Sequence, residues 1–186
     1  NDSGSTDFGG AVGAGTPLVS LTTNAGGDTT INGGSVTTTG VQAFGDPLIL
    51  GSDTALSGSS ITFNDTLEGT TPGDESLSVT GDAILGSTVG SAVSLESVAI
   101  SGTTSISADV STAGTQTFSG NATLAGDATL AGTGVSFGAA LDGAQNLVIN
   151  DDGTTTLGGP VGGTTALASL TTDAAGSVAL NGGAVT

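Results

Sequence analysis

Short alternations of apolar and polar residues run through the whole chain. Examples are LVSL (18–21), VQAF (41–44), TQTF (115–118) and LVIN (147–150), and Gly, Asp, Asn or Ser residues separate them. A period of two bounded by such residues is typical of β-strands joined by tight turns. No segment of helical length has apolar residues at i, i+3, i+4 and i+7. The pattern therefore predicts an all-β chain with essentially no helix.

The chain also repeats itself. Residues 18–37 read LVSLTTNAGGDTTINGGSVT, and residues 167–186, which lie 149 positions later, read LASLTTDAAGSVALNGGAVT. Residues 39–69 match residues 113–143 at a shift of 74, so that Gln42 aligns with Gln116, Phe44 with Phe118, and Phe63 with Phe137. The repeating unit is therefore about 74–75 residues long.

These repeats divide the chain into copies, not into separate domains. We expect a partial copy at about 1–18, full copies at 19–92 and 93–167, and a second partial copy at 168–186. Because both ends fall inside a copy, we expect residues 1–186 to be one continuous segment. We expect this segment to be either a window on a longer array or a unit that the next subunit continues.

Short strands rich in small aliphatic residues favour a parallel β-helix (β-solenoid) over a sandwich or a closed barrel. In a β-solenoid, each circuit of the chain, here called a coil, stacks its Val, Leu and Ile residues about 4.8 Å from those of the next. At about 20 residues per coil, the chain would form about nine coils. Gly and Asn are expected at the corners because both accept positive φ, as in the NGG segments 32–34 and 181–183.

Charge limits the partners of this chain. The 186 residues include 17 Asp and Glu but no Lys, Arg or His, so the formal net charge is −17 and no side-chain salt bridge can form. Nucleic acid is excluded as a direct partner because phosphate binding requires Lys or Arg, and cations are expected as counterions. The chain has no Cys and no run of about 18 apolar residues, so we expect neither disulfides nor membrane insertion.

Catalysis is not expected either. The absence of His, Cys and Lys removes the usual nucleophile–base pairs. A pair of carboxylates can hydrolyse glycosides, but the chain has no Trp or Tyr on which a sugar would stack. We therefore predict that the protein is not an enzyme, with no catalytic residue and no cofactor.

Calcium binding stays open as a chemical alternative. Carboxylate and carbonyl oxygens are the ligands that Ca²⁺ prefers, and the densest cluster is Asn150–Gly153 (NDDG), echoed by Asn1–Gly4 (NDSG). However, neither the nonapeptide G-G-x-G-x-D-x-U-x of calcium-binding β-rolls nor an EF-hand loop occurs, and most Asp residues adjoin Gly as turn formers. We therefore assign no metal ligand.

Three other patterns in the sequence are candidate binding surfaces. The five Phe residues would form a stripe if exposed, but Phe8 aligns with Leu157, which predicts buried core residues. Thr triplets at 37–39 and 154–156 resemble ice-binding ladders but are expected to be ordinary solvated strand faces. The largest break in the repeat, TTPGDES (70–76), is shorter than the divergent loop that a binding module would need.

The repeat grammar resembles that of very large bacterial surface proteins. Units such as LASLTTDAAGSVALNGGAVT followed by TQTFSGNATLAGDATLAGTGVSF are similar to the β-strand repeats of filamentous-haemagglutinin-like adhesins and autotransporter passengers. The resemblance covers the whole chain and implies a secreted right-handed parallel β-helix that serves as a stalk, adhesin or fibre. The amino-terminal secretion domain of the haemagglutinin family and a translocating barrel do not occur in this sequence.

From these observations we expect a structural segment of an extracellular or cell-surface fibre or stalk. Its partners would be further coils, either through self-association end to end or through continuation of a longer covalent array. The alternative is a calcium-binding or receptor- or glycan-binding adhesin module.

Overall fold

The chain forms a β-solenoid of about nine coils. The structure is a computed structural model that describes residues 4–186. Within that range every strand pairing is parallel, and no helix is present. Paired residues lie one coil apart along the chain, as with Val98 and Gln116 or Ser5 and Asp28. The predicted fold class is therefore confirmed.

Each coil contributes one segment to each of three parallel ladders, which the chain visits in the order A, B, C. Ladder A contains β1 (Ser5–Phe8), β3 (Asp28–Ile31), β6 (Leu48–Leu50), β8 (Leu67–Glu68), β12 (Val110–Ser111), β15 (Ala128–Gly132), β18 (Asn146–Asp151) and β20 (Ser169–Thr172). Val89 joins β8 to β12 through isolated bridges to Leu67 and Val110, which makes ladder A continuous along the rod.

Ladders B and C share one sheet, because two long strands, β7 (Thr54–Phe63) and β9 (Ser76–Leu85), run from one ladder into the other. Ladder B contains β4 (Ser35–Thr37), the first parts of β7 and β9, β10 (Ser97–Ile100), β13 (Thr115–Phe118), β16 (Gly134–Phe137), β19 (Thr154–Leu157) and β21 (Ser177–Leu180). Ladder C contains β2 (Leu21–Thr23), β5 (Val41–Phe44), the second parts of β7 and β9, β11 (Thr104–Ile106), β14 (Ala122–Leu124) and β17 (Leu141–Asp142). Val12 belongs to ladder B, and Val161 and Val185 extend ladder C.

The core is a column between the ladders. Inward-facing aliphatic residues from Ile31 to Val161 are buried, and their outward neighbours along each strand are more exposed, as the alternation predicts. Four of the five Phe residues stack in pairs within this column: Phe44 with Phe63 at 5.8 Å and Phe118 with Phe137 at 5.1 Å between ring centroids. The prediction that these four are core residues is confirmed. Phe8, in the first coil, is only partly buried but packs against the core.

The corners use glycine alone for positive φ. Gly34 and Gly183, which end the two NGG segments, have φ values of 71° and 82°. In the described part of the chain no residue other than Gly has positive φ, so the expectation that Asn shares this role is wrong. Asn, with a Cβ atom, pays a steric penalty in this region that Gly avoids.

The sequence repeat and the coil have different lengths. Segment β13 is the repeat equivalent of β5, yet β5 lies on ladder C and β13 on ladder B. From β5 to β13 the chain advances by eleven ladder positions. Since each coil has three ladders, this is three full coils and two ladders more. Successive copies are therefore offset by one ladder, and equivalent residues return to the same ladder only after three copies.

Candidate interaction sites

The strongest predicted calcium cluster is divided by the fold. Asp151 ends β18 and is buried, where it accepts hydrogen bonds from the backbone N–H groups of Gly153 (2.7 Å) and Val135 (3.1 Å) and from Thr155 Oγ1 (3.1 Å). Asp152, the next residue, is exposed. The echo of this cluster at Asn1 and Asp2 lies outside the described residues.

Most other carboxylates accept hydrogen bonds from the neighbouring coil. The backbone N–H groups of Ser76, Thr103, Thr129 and Asn146 donate to Asp53, Asp82, Asp109 and Asp127 at 2.7–2.9 Å, each about one coil away in sequence. The backbone and side-chain hydrogen bonds from Asn146 hold the pKa of Asp127 below its usual value. Backbone N–H groups thus donate hydrogen bonds to carboxylates that Lys and Arg side chains would pair with in other proteins. Over residues 4–186 no group of three or more Asp or Glu residues is placed to hold a metal ion.

Each copy carries one projecting loop, which begins after a Val-Gly pair. The pairs are Val12–Gly13, Val89–Gly90 and Val161–Gly162, and the three glycines have φ values of 73°, 67° and 73°. A Cβ atom on any of them would lie 2.2–2.3 Å from the carbonyl oxygen of a residue in the next coil. The loops leave from ladders B, A and C respectively, so they point away from three different edges of the rod.

Two of these loops are held by equivalent carboxylates of the preceding coil. Glu68 accepts from Ser91 Oγ (2.7 Å) and from the N–H groups of Ala92 (3.1 Å) and Val93 (2.8 Å). Asp142, 74 residues later, accepts from the N–H groups of Thr164 (2.8 Å) and Thr165 (3.0 Å). The hydrogen bonds from Thr165 and Thr164 lower the pKa of Asp142.

The extension predicted to be the largest irregularity packs against one of these loops. Residues 69–75 connect β8 to β9. Gly73 N donates to Ser94 O (2.8 Å), and Glu96 N donates to Glu75 O (2.8 Å). Burial raises the pKa of Glu75, but hydrogen bonds from the Thr70 hydroxyl and the Thr71 backbone outweigh it and leave the pKa lowered. This segment therefore supports the neighbouring coil and is not a free loop.

Two glutamines occupy equivalent buried corners on different ladders. Gln42 Nε2 donates to Val36 O (3.1 Å), Ser57 O (2.9 Å) and Thr38 Oγ1 (3.4 Å). Gln116 Nε2 makes the same three contacts one copy later, with Val110 O (3.1 Å), Ala131 O (2.8 Å) and Thr112 Oγ1 (3.3 Å). In both, Oε1 is buried without a partner. Each glutamine thus joins its own strand to the preceding strand and to a strand of the next coil: Gln42 joins β5 to β4 and β7, and Gln116 joins β13 to β12 and β15.

The Thr triplets do not form uniform arrays. Thr38 and Thr155 are buried, and their hydroxyl groups bond to Gly40 O and to Asp151. Thr156 lies in register between Ser136 and Ala179, so its neighbours along the ladder are not threonines.

The last described coil carries the most apolar surface. Leu180, Val185 and Val178 are 61%, 50% and 45% exposed. A hollow of about 190 Å³ lies between Leu157, Val161, Leu180 and Val185. Leu18 and Val19 of the first coil are 39% and 80% exposed. Other hollows on the sides of the rod are lined mainly by Ser, Thr and Ala residues.

No family model, curated protein or solved structure matches the chain. In residues 4–186 there is no helix that is long and apolar enough to cross a membrane. The geometry of the rod and its ends is therefore the basis for any functional argument.

The sequence indicated some of these features but not their roles. The recurrence of Gln42 at Gln116 was visible, but nothing in the pattern distinguished a buried corner amide from a surface residue. The holding carboxylates stand in the equivalent tripeptides LEG (67–69) and LDG (141–143). Their match is a signal of a shared role that the sequence reasoning missed.

Proposed function

We propose that the chain is a structural segment of an extracellular fibre or stalk, of the kind found in bacterial adhesin-type repeat proteins, and that it extends by adding further coils at its ends. One observation carries this proposal: the apolar column continues into the last described coil and lies uncovered there. Exposed strands with free backbone groups pair readily with another parallel strand.

The chain itself contains the kind of coil that fits this surface. By the 149-residue repeat, residues 178–185 correspond to residues 29–36. Residues 29–36 are covered by β6 and β7, with Thr29 paired to Leu48 and Val36 to Leu56. The last coil should therefore be covered by a coil that resembles β6 and β7, with Leu residues facing inward. This covering coil belongs either to a longer chain or to a second copy.

A mechanical role agrees with the placement of the repeated features. Because successive copies are offset by one ladder, a loop that recurs in each copy does not build up a single binding face. Most carboxylates in residues 4–186 accept hydrogen bonds from backbone amides one carboxylate at a time, as Asp53, Asp82 and Asp109 do, which supports a stabilising role over a specific calcium site. The absence of Lys and Arg leaves no site for trypsin-like proteases, which suits a location outside the cell.

Association of the purified chain tests the proposal. We expect electron microscopy to show thin unbranched filaments, and light scattering to show a mass that rises with protein concentration. Leu180→Asp places a charge on the uncovered column and should abolish assembly. Ile84→Asp is the matched control, because Ile84 is 41% exposed on the side of the rod, on ladder C, and it should assemble normally.

Other outcomes would redirect the assignment. A monodisperse monomer at high concentration, unchanged by Leu180→Asp, would reject addition of coils by this chain. Calorimetric titration with Ca²⁺ and a glycan binding screen then test the alternative of a calcium-binding or receptor-binding module. A saturable Ca²⁺ isotherm that Asp152→Asn weakens would favour that alternative.

A further inference from the structure

The sequence contains Asn-x-Ser/Thr, the tripeptide to which N-linked sugars are attached, at residues 1–3 (NDS), 64–66 (NDT) and 121–123 (NAT). The first of these lies outside the described residues. The other two are chemically alike, because each has an Asn followed two residues later by Thr. They differ in how the fold holds the side-chain amide of the Asn.

Asn121 and Thr123 lie together on the outer face of the rod. Ala122, between them, is buried, whereas Asn121 and Thr123 are both exposed. An extended backbone turns alternate side chains to opposite faces, so the amide and the hydroxyl that a glycosyltransferase recognises are presented side by side. Strand β14 is paired with β11 on one side and with β17 on the other, so this site lies within the stack of coils.

The amide of Asn121 is held through its oxygen and not through its nitrogen. Ala140 N donates to Asn121 Oδ1 at 3.3 Å. In the described part of the chain neither Asn121 Nδ2 nor Thr123 Oγ1 makes a hydrogen bond. A sugar on Nδ2 therefore leaves the contact with the next coil in place.

The amide of Asn64 is held through its nitrogen. Asn64 Nδ2 donates to Phe44 O at 3.3 Å, and Asn64 N donates to the same carbonyl at 3.0 Å. Thr66 is half-buried, and its carbonyl oxygen accepts from Leu48 N at 2.8 Å. A transferase reaches this nitrogen only when the corner opens away from the preceding coil.

A hollow beside Asn121 supplies room for a sugar. It has a volume of about 430 Å³ and is lined by Thr123 and by residues of the two preceding coils, including Ser105 and Ile84. Ile84 is 41% exposed and offers an apolar contact to the C–H face of a sugar ring. The Ser105 and Thr123 side chains offer hydroxyl groups to the polar edge of the ring.

We propose that Asn121 is an N-linked glycosylation site and that the fold disfavours the same modification at Asn64. In the transfer, Asn121 Nδ2 bonds to C1 of a sugar supplied by a phosphate-activated donor. The bond between C1 and the phosphate oxygen breaks, the phosphate leaves with that electron pair, and one Nδ2 proton passes to a base of the transferase. The product carries a neutral, hydrated group on the side of the rod.

The test compares the two sites within one folded chain. The protein is incubated with UDP-glucose and a soluble N-glycosyltransferase that recognises Asn-x-Ser/Thr, and synthetic peptides 60–69 and 117–126 are treated in parallel. After elastase digestion, mass spectrometry with electron-transfer fragmentation measures the addition of one hexose at each Asn. The rate in the folded chain is then divided by the rate in the matching peptide. This ratio should be at least about fivefold higher for Asn121 than for Asn64, because release of Asn64 Nδ2 breaks a hydrogen bond.

Two variants of one residue check that the tripeptide is what the transferase recognises. Thr123→Ala should abolish modification at Asn121 and leave the rate at Asn64 unchanged, and Thr123→Ser should restore modification at Asn121. Equal ratios at the two sites, or a higher ratio at Asn64, would overturn the proposal. Modification of peptide 117–126 without modification of Asn121 in the folded chain would overturn it as well.

This inference goes beyond the proposed function and does not depend on the addition of coils. Fast modification of Asn121 in a chain that never forms filaments would support the glycosylation site while the fibre role fails. Filaments whose Asn121 resists modification would have the opposite meaning.

Discussion

Residues 28–36 and 177–185 are nearly the same structure in two different settings. In the second coil, Ile31 and Val36 are both 0% exposed, whereas their repeat equivalents in the last coil, Leu180 and Val185, are 61% and 50% exposed. Both segments form the same parallel strand over the coil below. The difference arises from the coil above: β6 and β7 cover the first segment, whereas no coil of residues 4–186 covers the second.

This comparison shows that a single coil has no core of its own. Its inward residues are buried only by the coils on either side, as in other quasi-one-dimensional repeat folds. The same residue type therefore has a large or a small energetic effect according to its place in the stack. Experiments that compare equivalent residues of covered and uncovered coils measure that effect directly.

The largest expected difference is between Ile31→Ala and Leu180→Ala. Removing the Ile31 side chain leaves a cavity in the column and should lower the free energy of unfolding by about 2–5 kcal/mol. Leu180→Ala removes a side chain that is 61% exposed and should cost less than about 1 kcal/mol. Urea unfolding followed by circular dichroism measures both. Equal losses would show that the last coil is covered in solution.

A second comparison uses the corner glutamines, which are both covered but lie on different ladders. Gln42→Met and Gln116→Met keep a similar volume and remove the three contacts that each Nε2 makes. Each should cost about 1–3 kcal/mol, because two buried carbonyl oxygens lose a donor. The two losses should be equal and should add in the double variant, since the residues lie four coils apart, about 19 Å. Unequal losses would mean that the ladders are not equivalent environments.

The fold followed from the sequence to a large extent. The period-two alternation indicates short strands, and the repeats indicate that similar units stack on one another; together these define a solenoid. The burial of Phe44 and Phe118 followed from the alignment of Phe8 with Leu157, which indicated that the Phe residues occupy core positions. The offset of one ladder per copy did not follow. It depends on the number of residues at each corner, and those corners tolerate loops of different length, such as 13–20 and 69–75, without a change in strand pattern.

The site features were less accessible to sequence reasoning for a similar reason. Asp151 and Asp152 are adjacent and chemically identical, yet one is buried and the other exposed. Whether a carboxylate partners a metal ion or the amide of the next coil depends on contacts about 20 residues away. The linear sequence does not display those contacts.

Salt separates the effect of coverage from that of charge. The net charge of −17 opposes the compact state, and screening should therefore raise the urea midpoint of the wild-type chain. An increase of about 1 kcal/mol in the free energy of unfolding would raise the melting temperature by roughly 2–4 °C. We expect the gap between Ile31→Ala and Leu180→Ala to persist in high salt. If the gap closes, repulsion and not lack of coverage weakens the last coil.

The smallest expected effect concerns Asp142, whose carboxylate holds the loop that leads into the last coil. Its pKa is lowered by the hydrogen bonds from Thr165 and Thr164. It therefore contributes stability that is present above the unfolded value, about pH 3.9, and is lost as the pH falls through the folded value. In high salt, where repulsion among the carboxylates is screened, the urea midpoint of the wild-type chain should fall as the pH decreases through this range.

Asp142→Asn should make that fall shallower, because an amide oxygen can accept the same hydrogen bonds without titrating. Asp152→Asn is the matched control: Asp152 is exposed and its side chain makes no hydrogen bond within the described residues, so the pH slope should not change. Amide hydrogen exchange at Thr164 and Thr165 reports the same event locally, because both amides donate to Asp142. In the wild-type chain it should accelerate in acid by more than the intrinsic pH dependence of exchange. The same measurement on Asp142→Asn should show no such acceleration, and equal acceleration in both chains would mean that the Asp142 carboxylate does not hold this loop.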